Sequence, residues 1–246
     1  MGDGRGLRIA LVGKGGSGKS MVAGTLCRQL ARRGECVLAM DVDTMPGLGL
    51  SLGLGEDCAR LPAGLAERVE GKGWQVKPGF RPSNVVDRHA RRGPDGVEFL
   101  ALGKLPDHVE PAISVAFRYV LEHFRRPGWS VVGDLAAGTR QPMFGWANFA
   151  RTVIVVADPS AKSLLTARRL LRAGVATHLL ANKVRDDADV AAIREAVSLP
   201  LLGAVPYDAD VAEAERSGNA PIDVAPECRA VRAINAVAGR LVTEVR

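Results

Sequence analysis

The sequence predicts a three-layer α/β fold in which a doubly wound, mostly parallel sheet is flanked by helices. Apolar segments of strand length recur along the 246 residues and alternate with segments of helical periodicity. Some of these strands are continuously apolar, as at residues 152–157, which is typical of parallel strands covered on both faces. A composition with 47% hydrophobic and 4% aromatic residues suits a large core of helices packed on a sheet.

The order of the elements indicates a single domain over residues 1–246. No internal repeat, long linker or shift in composition marks a second domain. The irregular part is the segment at about 59–95, which is rich in Gly, Pro and Arg. It is either an insertion that contacts a partner or a loop-and-hairpin excursion around the binding site. The main strands are expected to begin near residues 7, 36, 97, 129, 152, 177 and 201.

The first strand leads into the most informative segment, the octet GKGGSGKS at residues 13–20, and a helical pattern follows it. Glycines allow backbone N–H groups to converge on phosphate oxygens, and the start of the helix adds partial positive charge. Lys19 is expected to reach the β- and γ-phosphates, and the Ser20 hydroxyl to bind Mg²⁺. The predicted nucleotide-binding residues here are Gly13, Gly15, Gly16, Ser17, Gly18, Lys19, Ser20 and Met21.

Lys14 is one lysine more than a phosphate-binding loop requires. With it, residues 14–20 resemble the deviant phosphate-binding loop of the ATPases that include plasmid-partition, septum-positioning, nitrogenase-reductase and metalloenzyme-maturation proteins. In that superfamily the extra lysine crosses to the partner subunit's nucleotide and neutralises charge during hydrolysis. The resemblance implies a P-loop ATPase that converts ATP and water to ADP and phosphate, slowly and under the control of a partner, in a nucleotide-dependent homodimer. Lys14 and Lys19 are then catalytic.

The second strand ends in Asp41-Val42-Asp43, where the family places an Asp-x-Asp near Mg²⁺ and the attacking water. The resemblance implies that Asp43 orients the water and that Asp41 lies in the outer shell of the metal. This chain inserts two residues before Pro46, whereas the family has proline directly after the second aspartate. A solvated turn is therefore the alternative for Asp43.

The strand at 129–133 ends in Asp134, and residues 135–140 follow it as a glycine-containing loop. By its order behind the first two motifs, Asp134 is expected to hold Mg²⁺ through water, and Gly138 to offer its N–H to the γ-phosphate.

Two later segments are expected to bind the base. The strand at 178–181 leads into Asn182 and Lys183, and the Asn182 amide can pair with a purine edge. Guanine-specific relatives have an aspartate where this chain has Arg185, so adenine is favoured. The resemblance places the loop of Pro206, Tyr207 and Asp208 near the adenine as well.

Among the branches of the family, the chain is most similar to the ATPases that mature carbon monoxide dehydrogenase by inserting nickel, on segments at 100–104, 157–164 and 205–214. Those proteins carry a C-x-C pair ahead of the Asp134 position. This chain has no C-x-C or C-x-x-C, since its cysteines are Cys27, Cys36, Cys58 and Cys228. The same spacing excludes the iron–sulfur bridge of the nitrogenase-reductase branch. A looser metal site from His108, Glu110, Glu122 and His123 is the alternative to solvated helix residues, which are favoured.

The predicted function is an ATP-binding and ATP-hydrolysing dimeric switch that serves as an accessory or maturation factor for an unknown client metalloenzyme or assembly. The alternative is a positioning or partition-type ATPase whose ATP dimer binds DNA or another partner. The net charge of +6 is spread along the chain, so DNA binding stays open but is not favoured.

The last segment predicts a core helix, with Val231, Ile234, Val237, Leu241 and Val245 on one face, rather than a membrane-binding tail. Neither a transmembrane run nor a signal peptide is visible, and a cytoplasmic protein without membrane insertion is expected.

Overall fold

The fold was analysed in a computed structural model, which describes residues 6–45, 47–55, 59–103 and 110–244. Its main sheet has eight strands in the order β10-β9-β8-β1-β7-β2-β6-β5. Neighbouring strands are parallel except β5, which runs antiparallel to β6 at one edge. The strands of this sheet are β1 (Arg8–Val12), β2 (Cys36–Asp41), β5 (Arg91–Arg92), β6 (Glu98–Ala101), β7 (Trp129–Asp134), β8 (Thr152–Ala157), β9 (His178–Val184) and β10 (Leu201–Pro206). A separate two-stranded sheet is formed by β3 (Ala66–Val69) and β4 (Gly73–Val76).

Helices cover both faces of this sheet, as the continuous apolar strands predict. The helices are α1 (Lys19–Arg32), α2 (Leu48–Leu52), α3 (Pro82–His89), α4 (Glu110–His123), α5 (Ala161–Arg172), α6 (Asp187–Ala196), α7 (Ala209–Arg216), α8 (Pro221–Val224) and α9 (Arg229–Glu244). Alternate residues of β1 enter different cores, with Ile9 and Leu11 packing beneath α1 and α9, and Ala10 and Val12 on the side of α4 and α5. The predicted three-layer fold is confirmed.

The irregular segment at 59–95 forms a hairpin of β3 and β4, then α3 and the short edge strand β5. The hairpin packs against α4, and the Phe80 ring meets the Tyr119 ring edge-on at 5.3 Å between centroids. The segment is thus a hairpin with a short helix and an edge strand. Whether it borders the binding site or contacts a partner stays a prediction.

The last helix, α9, packs on α1 and β10 with Val231, Ile234, Val237 and Leu241 buried, as expected for a core helix. Val245 lies outside the described residues. In the part of the chain that the structure covers, no helix combines the length and apolar character that a membrane span requires.

Parallel pairing brings the carboxyl ends of β1, β2, β7, β8 and β9 to one edge of the sheet. The ends of these strands, the loops that follow them and the start of α1 contain most of the predicted site residues, so the fold alone gathers them into one region.

Candidate nucleotide and magnesium site

The phosphate-binding loop joins β1 to α1 with its glycines tightly surrounded. Gly18 has a φ of 87°, and a Cβ added there would lie 2.4 Å from Nδ2 of Asn182. A Cβ at Gly13 would lie 2.5 Å from the carbonyl oxygen of Val156. Because the ends of β8 and β9 press on the loop, these positions exclude larger residues. No acidic residue occupies the first turn of α1, so its positive end is left for an anion.

The loop holds polar groups that the protein leaves poorly satisfied. The Ser17 hydroxyl is fully buried and has no hydrogen-bond partner. Lys19 is 7% exposed, and its ammonium donates to the Lys14 carbonyl across a long 3.5 Å. Burying such groups without good partners is costly, and phosphate oxygens would relieve that cost.

Two buried carboxylates, Asp41 and Asp134, end the neighbouring strands β2 and β7. Burial and the nearby Asp41 charge raise the pKa of Asp134 to about 7, against the opposing effects of Lys19 and a hydrogen bond from the Ser20 hydroxyl. Burial likewise raises the pKa of Asp41 to about 6. Oδ1 of Asp134 is buried without a partner. An unsatisfied carboxylate beside a hydroxyl fits a hard cation such as Mg²⁺.

The Asp41 carboxylate also stabilises the loop that follows β2. Its Oδ1 accepts from the Asp43 N–H at 3.0 Å, and its Oδ2 accepts from the Leu48 N–H at 2.9 Å. Asp43 is half-buried and accepts from the Met45 N–H at 3.0 Å. The two inserted residues therefore form a turn closed by Asp43 itself. Asp41 in the metal's outer shell and Asp43 as the group that positions water both stay predictions.

The loop after β7 uses Gly138 differently from the prediction. Its N–H donates to the Gly13 carbonyl at 2.9 Å and so is already engaged, rather than free for a γ-phosphate. The reason is geometric, because the loop folds back to form a β-bridge between Gly138 and Gly13. Phosphate binding through this N–H would require that bridge to open.

Gln141, which the sequence did not single out, connects the loops after β7 and β2. Its Oε1 accepts from the Ala136 N–H at 2.9 Å, and its Nε2 donates to the Val42 carbonyl at 3.0 Å. The Val42 N–H in turn donates to the Asp134 carbonyl at 2.9 Å. The loops carrying Asp134 and Asp43 are thus joined by side-chain and backbone bonds.

A cleft beside the loop collects the residues predicted to bind the base. Its walls include Gly18, Met21, Asn182, Lys183, Pro206 and Tyr207, together with Asp208. Nδ2 of Asn182 donates to the Ser17 carbonyl at 2.7 Å, while its Oδ1 is buried and has no partner. Since Nδ2 is committed to a carbonyl, the open side of the amide is an acceptor.

Other residues of the cleft have structural roles that the sequence did not indicate. Lys183, at a φ of 58°, donates from Nζ to the Gly16 carbonyl at 2.9 Å and clamps the phosphate loop. Asp208 caps the amino end of α7, where its Oδ1 accepts a hydrogen bond from the Asp210 N–H at 3.1 Å. The Arg185 guanidinium lies 5.9 Å from the centre of the Tyr207 ring at the rim.

The looser metal site considered near α4 does not form among the residues described. Arg118 pairs with Glu122 at 2.8 Å, and the His123 ring stacks on Tyr119 with 4.1 Å between centroids. His108 lies outside the described residues. Within the described ranges, no three His, Cys, Asp or Glu side chains group into a metal site, and Cys27, Cys36 and Cys228 are free thiols.

Comparison with protein families matches residues 9–222 to the CobQ/CobB/MinD/ParA nucleotide binding domain. Among curated proteins, the chain is 28% identical to the carbon monoxide dehydrogenase accessory protein CooC of Rhodospirillum rubrum, over 91% of this chain and 92% of that protein. It is 27% identical to an uncharacterized ATP-binding protein of Methanocaldococcus jannaschii, over 89% of this chain and 91% of the relative.

Solved structures share the fold at lower identity. The septum site-determining protein MinD of Pyrococcus horikoshii, complexed with Mg-ADP, superposes with a TM-score of 0.74 at 22% identity, covering 98% of this chain and 97% of that one. A ParA family ATPase from Chlorobium tepidum superposes with a TM-score of 0.67 at 17% identity, covering 96% and 99%.

Proposed function

Because the chain belongs to the CobQ/CobB/MinD/ParA nucleotide binding domain family, we propose that it is an ATPase whose ATP-bound copies close into a dimer and act on a client metalloenzyme or its assembly. The observation that carries the ATPase proposal is the convergence of three buried polar groups on one edge of the sheet: the Ser17 hydroxyl and Oδ1 of Asp134, which have no partner, and the Lys19 ammonium, which has only one long bond. They are a hydroxyl donor, a cation and a carboxylate, which together match a phosphate chain and its metal ion.

In this proposal the chain's own residues bind and orient ATP. The N–H groups of residues 13–20 and the start of α1 hold the phosphates, and Lys19 exchanges its long bond to a carbonyl for phosphate oxygens. Asp43 positions the attacking water from the loop after β2. Such positioning supplies most of the catalysis in phosphoryl transfer.

Magnesium is the implied cofactor, and Ser20, Asp134 and, from the outer shell, Asp41 are the residues that would hold it. The absence of a group of three carboxylates or imidazoles among the described residues fits an ion that keeps several waters. When bound, Mg²⁺ supplies charge compensation for the phosphates. Asp134 must be ionised to hold it, and because its pKa is raised, Mg²⁺ must compete with a proton for this carboxylate.

The proposed base is adenine. The free Oδ1 of Asn182 is an acceptor, and adenine presents an exocyclic amine as a donor, whereas guanine presents a carbonyl oxygen at the same place. Arg185 offers no acceptor for guanine's nitrogens.

Lys14 is proposed to act across the dimer. In the single chain its side chain is half-buried and folds back over its own loop: the Lys14 ammonium would lie 4.0 Å from a Cβ added at Gly16. Reaching a second nucleotide would require Lys14 to leave this position as the copies close. We expect Lys14→Ala to lose most ATP hydrolysis and to keep much of its nucleotide affinity. Lys162→Ala, which removes an exposed lysine from α5, is the matched control.

The client role is supported by the likeness to the carbon monoxide dehydrogenase accessory protein, which covers nearly the full length of both chains. The chain lacks a C-x-C, so thiolate transport of nickel is not part of the proposal. The second candidate is a positioning or partition-type ATPase, for which the net charge of +6 leaves binding to an anionic polymer open.

The dimer is tested by light scattering after gel filtration on Asp43→Ala without nucleotide, with Mg²⁺·ATP and with Mg²⁺·ADP. We expect the molar mass to double with ATP alone. An unchanged mass would overturn the ATP-dependent dimer. The same ATP-locked variant, passed over double-stranded DNA at low and high salt, separates the two roles, since retention lost at high salt would favour the second candidate.

A further inference from the structure

A cavity of about 330 Å³ opens at the edge of the sheet opposite the nucleotide site. It lies at the amino ends of β1, β7 and β8, beneath the segment that leaves α4. Its lining includes Arg8, Arg125, Arg126, Trp129, Phe149 and Arg151. We call this feature the arginine cavity. Its volume is at the lower end of the range for small-molecule sites.

The fold uses some of the guanidinium donors of the arginine cavity for its own packing. Arg8 is buried and donates to the carbonyls of Leu121 and Phe124 at 3.0 and 2.7 Å, which closes the carboxyl end of α4. Arg125 also donates to the Phe124 carbonyl, at 2.8 Å. Each guanidinium has five N–H donors, so Arg125 in particular retains several.

Positive charge in the arginine cavity exceeds the negative charge around it. Arg126 pairs with Asp87 at 2.8 Å, and its charge also acts on Glu98. No ion pair to Arg125 or Arg151 is present among the residues that the structure describes. Burial, together with the charges of Arg125 and Arg151, lowers the pKa of Arg8 to about 10, so the cations lie close enough to repel one another.

Two of these arginines stack their guanidinium groups on aromatic rings. The Arg126 guanidinium lies 4.9 Å from the centre of the Trp129 ring, and that of Arg8 lies 5.8 Å from the centre of the Phe149 ring. Stacking of this kind fixes the plane of the guanidinium. All three nitrogens of Arg8 donate to backbone carbonyls, the third to that of Phe149 at 3.4 Å, and Arg126 is paired with Asp87. The donors that remain for a ligand are therefore mainly those of Arg125 and Arg151, whose planar guanidinium groups can bind oxyanions through two parallel hydrogen bonds.

We propose that the arginine cavity is a second anion site, separate from the nucleotide site, which binds the phosphate group of a small molecule. A recess of this size accommodates free phosphate or a compact phosphomonoester, whereas a polymer needs an extended surface. The proposal does not depend on ATP hydrolysis or on the client.

Binding is tested through Trp129 in a variant that carries Trp74→Phe and Trp146→Phe, which makes Trp129 the single tryptophan. Inorganic phosphate and phenyl phosphate are titrated at constant ionic strength. Saturating Mg²⁺·ADP is present throughout, so that the nucleotide site is filled. We expect a saturable change in Trp129 fluorescence. Tighter binding of phenyl phosphate would identify an ester as the preferred form, and equal binding would identify the free anion.

Arg151→Gln and Arg125→Gln remove exposed guanidinium groups of the arginine cavity without touching the bonds of Arg8. Each is expected to weaken phosphate binding about tenfold or more. Arg168→Gln, an equal change of charge on the exposed face of α5, should leave binding unchanged. The absence of a saturable signal, or equal affinity in Arg151→Gln and the parent, would overturn the proposal.

Discussion

Replacing Asp134 by asparagine should stabilise the protein when neither metal nor nucleotide is present. The Asp134 carboxylate is fully buried at the end of β7, with one oxygen lacking a partner and Asp41 nearby as a like charge. Asparagine keeps an oxygen that can accept from the Ser20 hydroxyl but carries no charge. The substitution therefore removes the buried charge and preserves the shape.

The magnitude follows from the pKa of Asp134, which burial and the Asp41 charge raise from 3.8 to about 7. That difference corresponds to about 4 kcal/mol in the free energy of unfolding. Between pH 4 and 7 the unfolded chain has lost this proton while the folded chain retains it, so stability falls as the pH rises through this window. The gain from Asp134→Asn should be about 4 kcal/mol at pH 8 and a little over a third of that at pH 5.

This gain is measured by chemical denaturation at pH 8 and at pH 5, in the presence of a metal chelator that keeps the magnesium site empty. Thermal unfolding at pH 8 should show it as a rise in Tm of roughly 10 °C. Asp43→Asn is the matched control, because Asp43 is only half-buried and should change stability little. Added Mg²⁺·ADP should stabilise the parent protein, and Asp134→Asn should lose the magnesium-dependent part of that effect.

A loss of stability in Asp134→Asn at pH 8 would refute the reasoning. So would a gain of equal size at both pH values, because that gain would not arise from ionisation of the carboxylate.

Three further predictions concern packing, the linked loops and the base. Gly24→Ala should lower the free energy of unfolding by about 1–3 kcal/mol in chemical denaturation, because its methyl group would lie 2.6 Å from the Cβ and carbonyl oxygen of Ser51 and push α2 away from α1. Gln141→Ala removes the side-chain bond to the Val42 carbonyl in the loop after β2 and the bond to Ala136 within the loop after β7, and should slow ATP hydrolysis several-fold with little change in ADP affinity. Asn182→Ala should weaken ATP binding about tenfold or more in calorimetry, and narrow the preference for ATP over GTP, since it removes the bond to Ser17 and the free acceptor.

Each of these has a contrary outcome. An unchanged free energy of unfolding in Gly24→Ala would mean that α2 can move away from α1 without a cost in stability. Equal turnover in Gln141→Ala would show that the two loops act independently, and equal ATP affinity in Asn182→Ala would remove this amide from the base site.

The fold and the phosphate loop could be predicted because their signals are local. Apolar strands of parallel type and the 13–20 octet are contiguous in sequence, and parallel pairing then brings Asp41 and Asp134 to one edge. The same reasoning placed Asn182 near the loop, since β9 ends at that edge as well.

Contacts that join distant segments through ordinary residues could not be predicted. Gln141 reaches Val42 across 99 positions, and nothing in its surrounding sequence differs from an exposed polar turn. The use of the Gly138 N–H by Gly13 has the same origin, because it depends on how the loop after β7 folds back. The arginine cavity likewise has no sequence signature, because its four arginines come from three separate segments: β1, the segment after α4 and the residue that precedes β8.

Strand β1 joins the arginine cavity to the phosphate loop, since Arg8 stands at one end and Gly13 follows the other. Five extended residues span about 17 Å, and the screening length at physiological ionic strength is about 8 Å. Two anions held at the ends of this strand would therefore barely sense each other's charge. Both could be occupied at once with nearly additive affinities, and any cooperativity between them would have to arise from movement of the strand and its loops rather than from electrostatic repulsion.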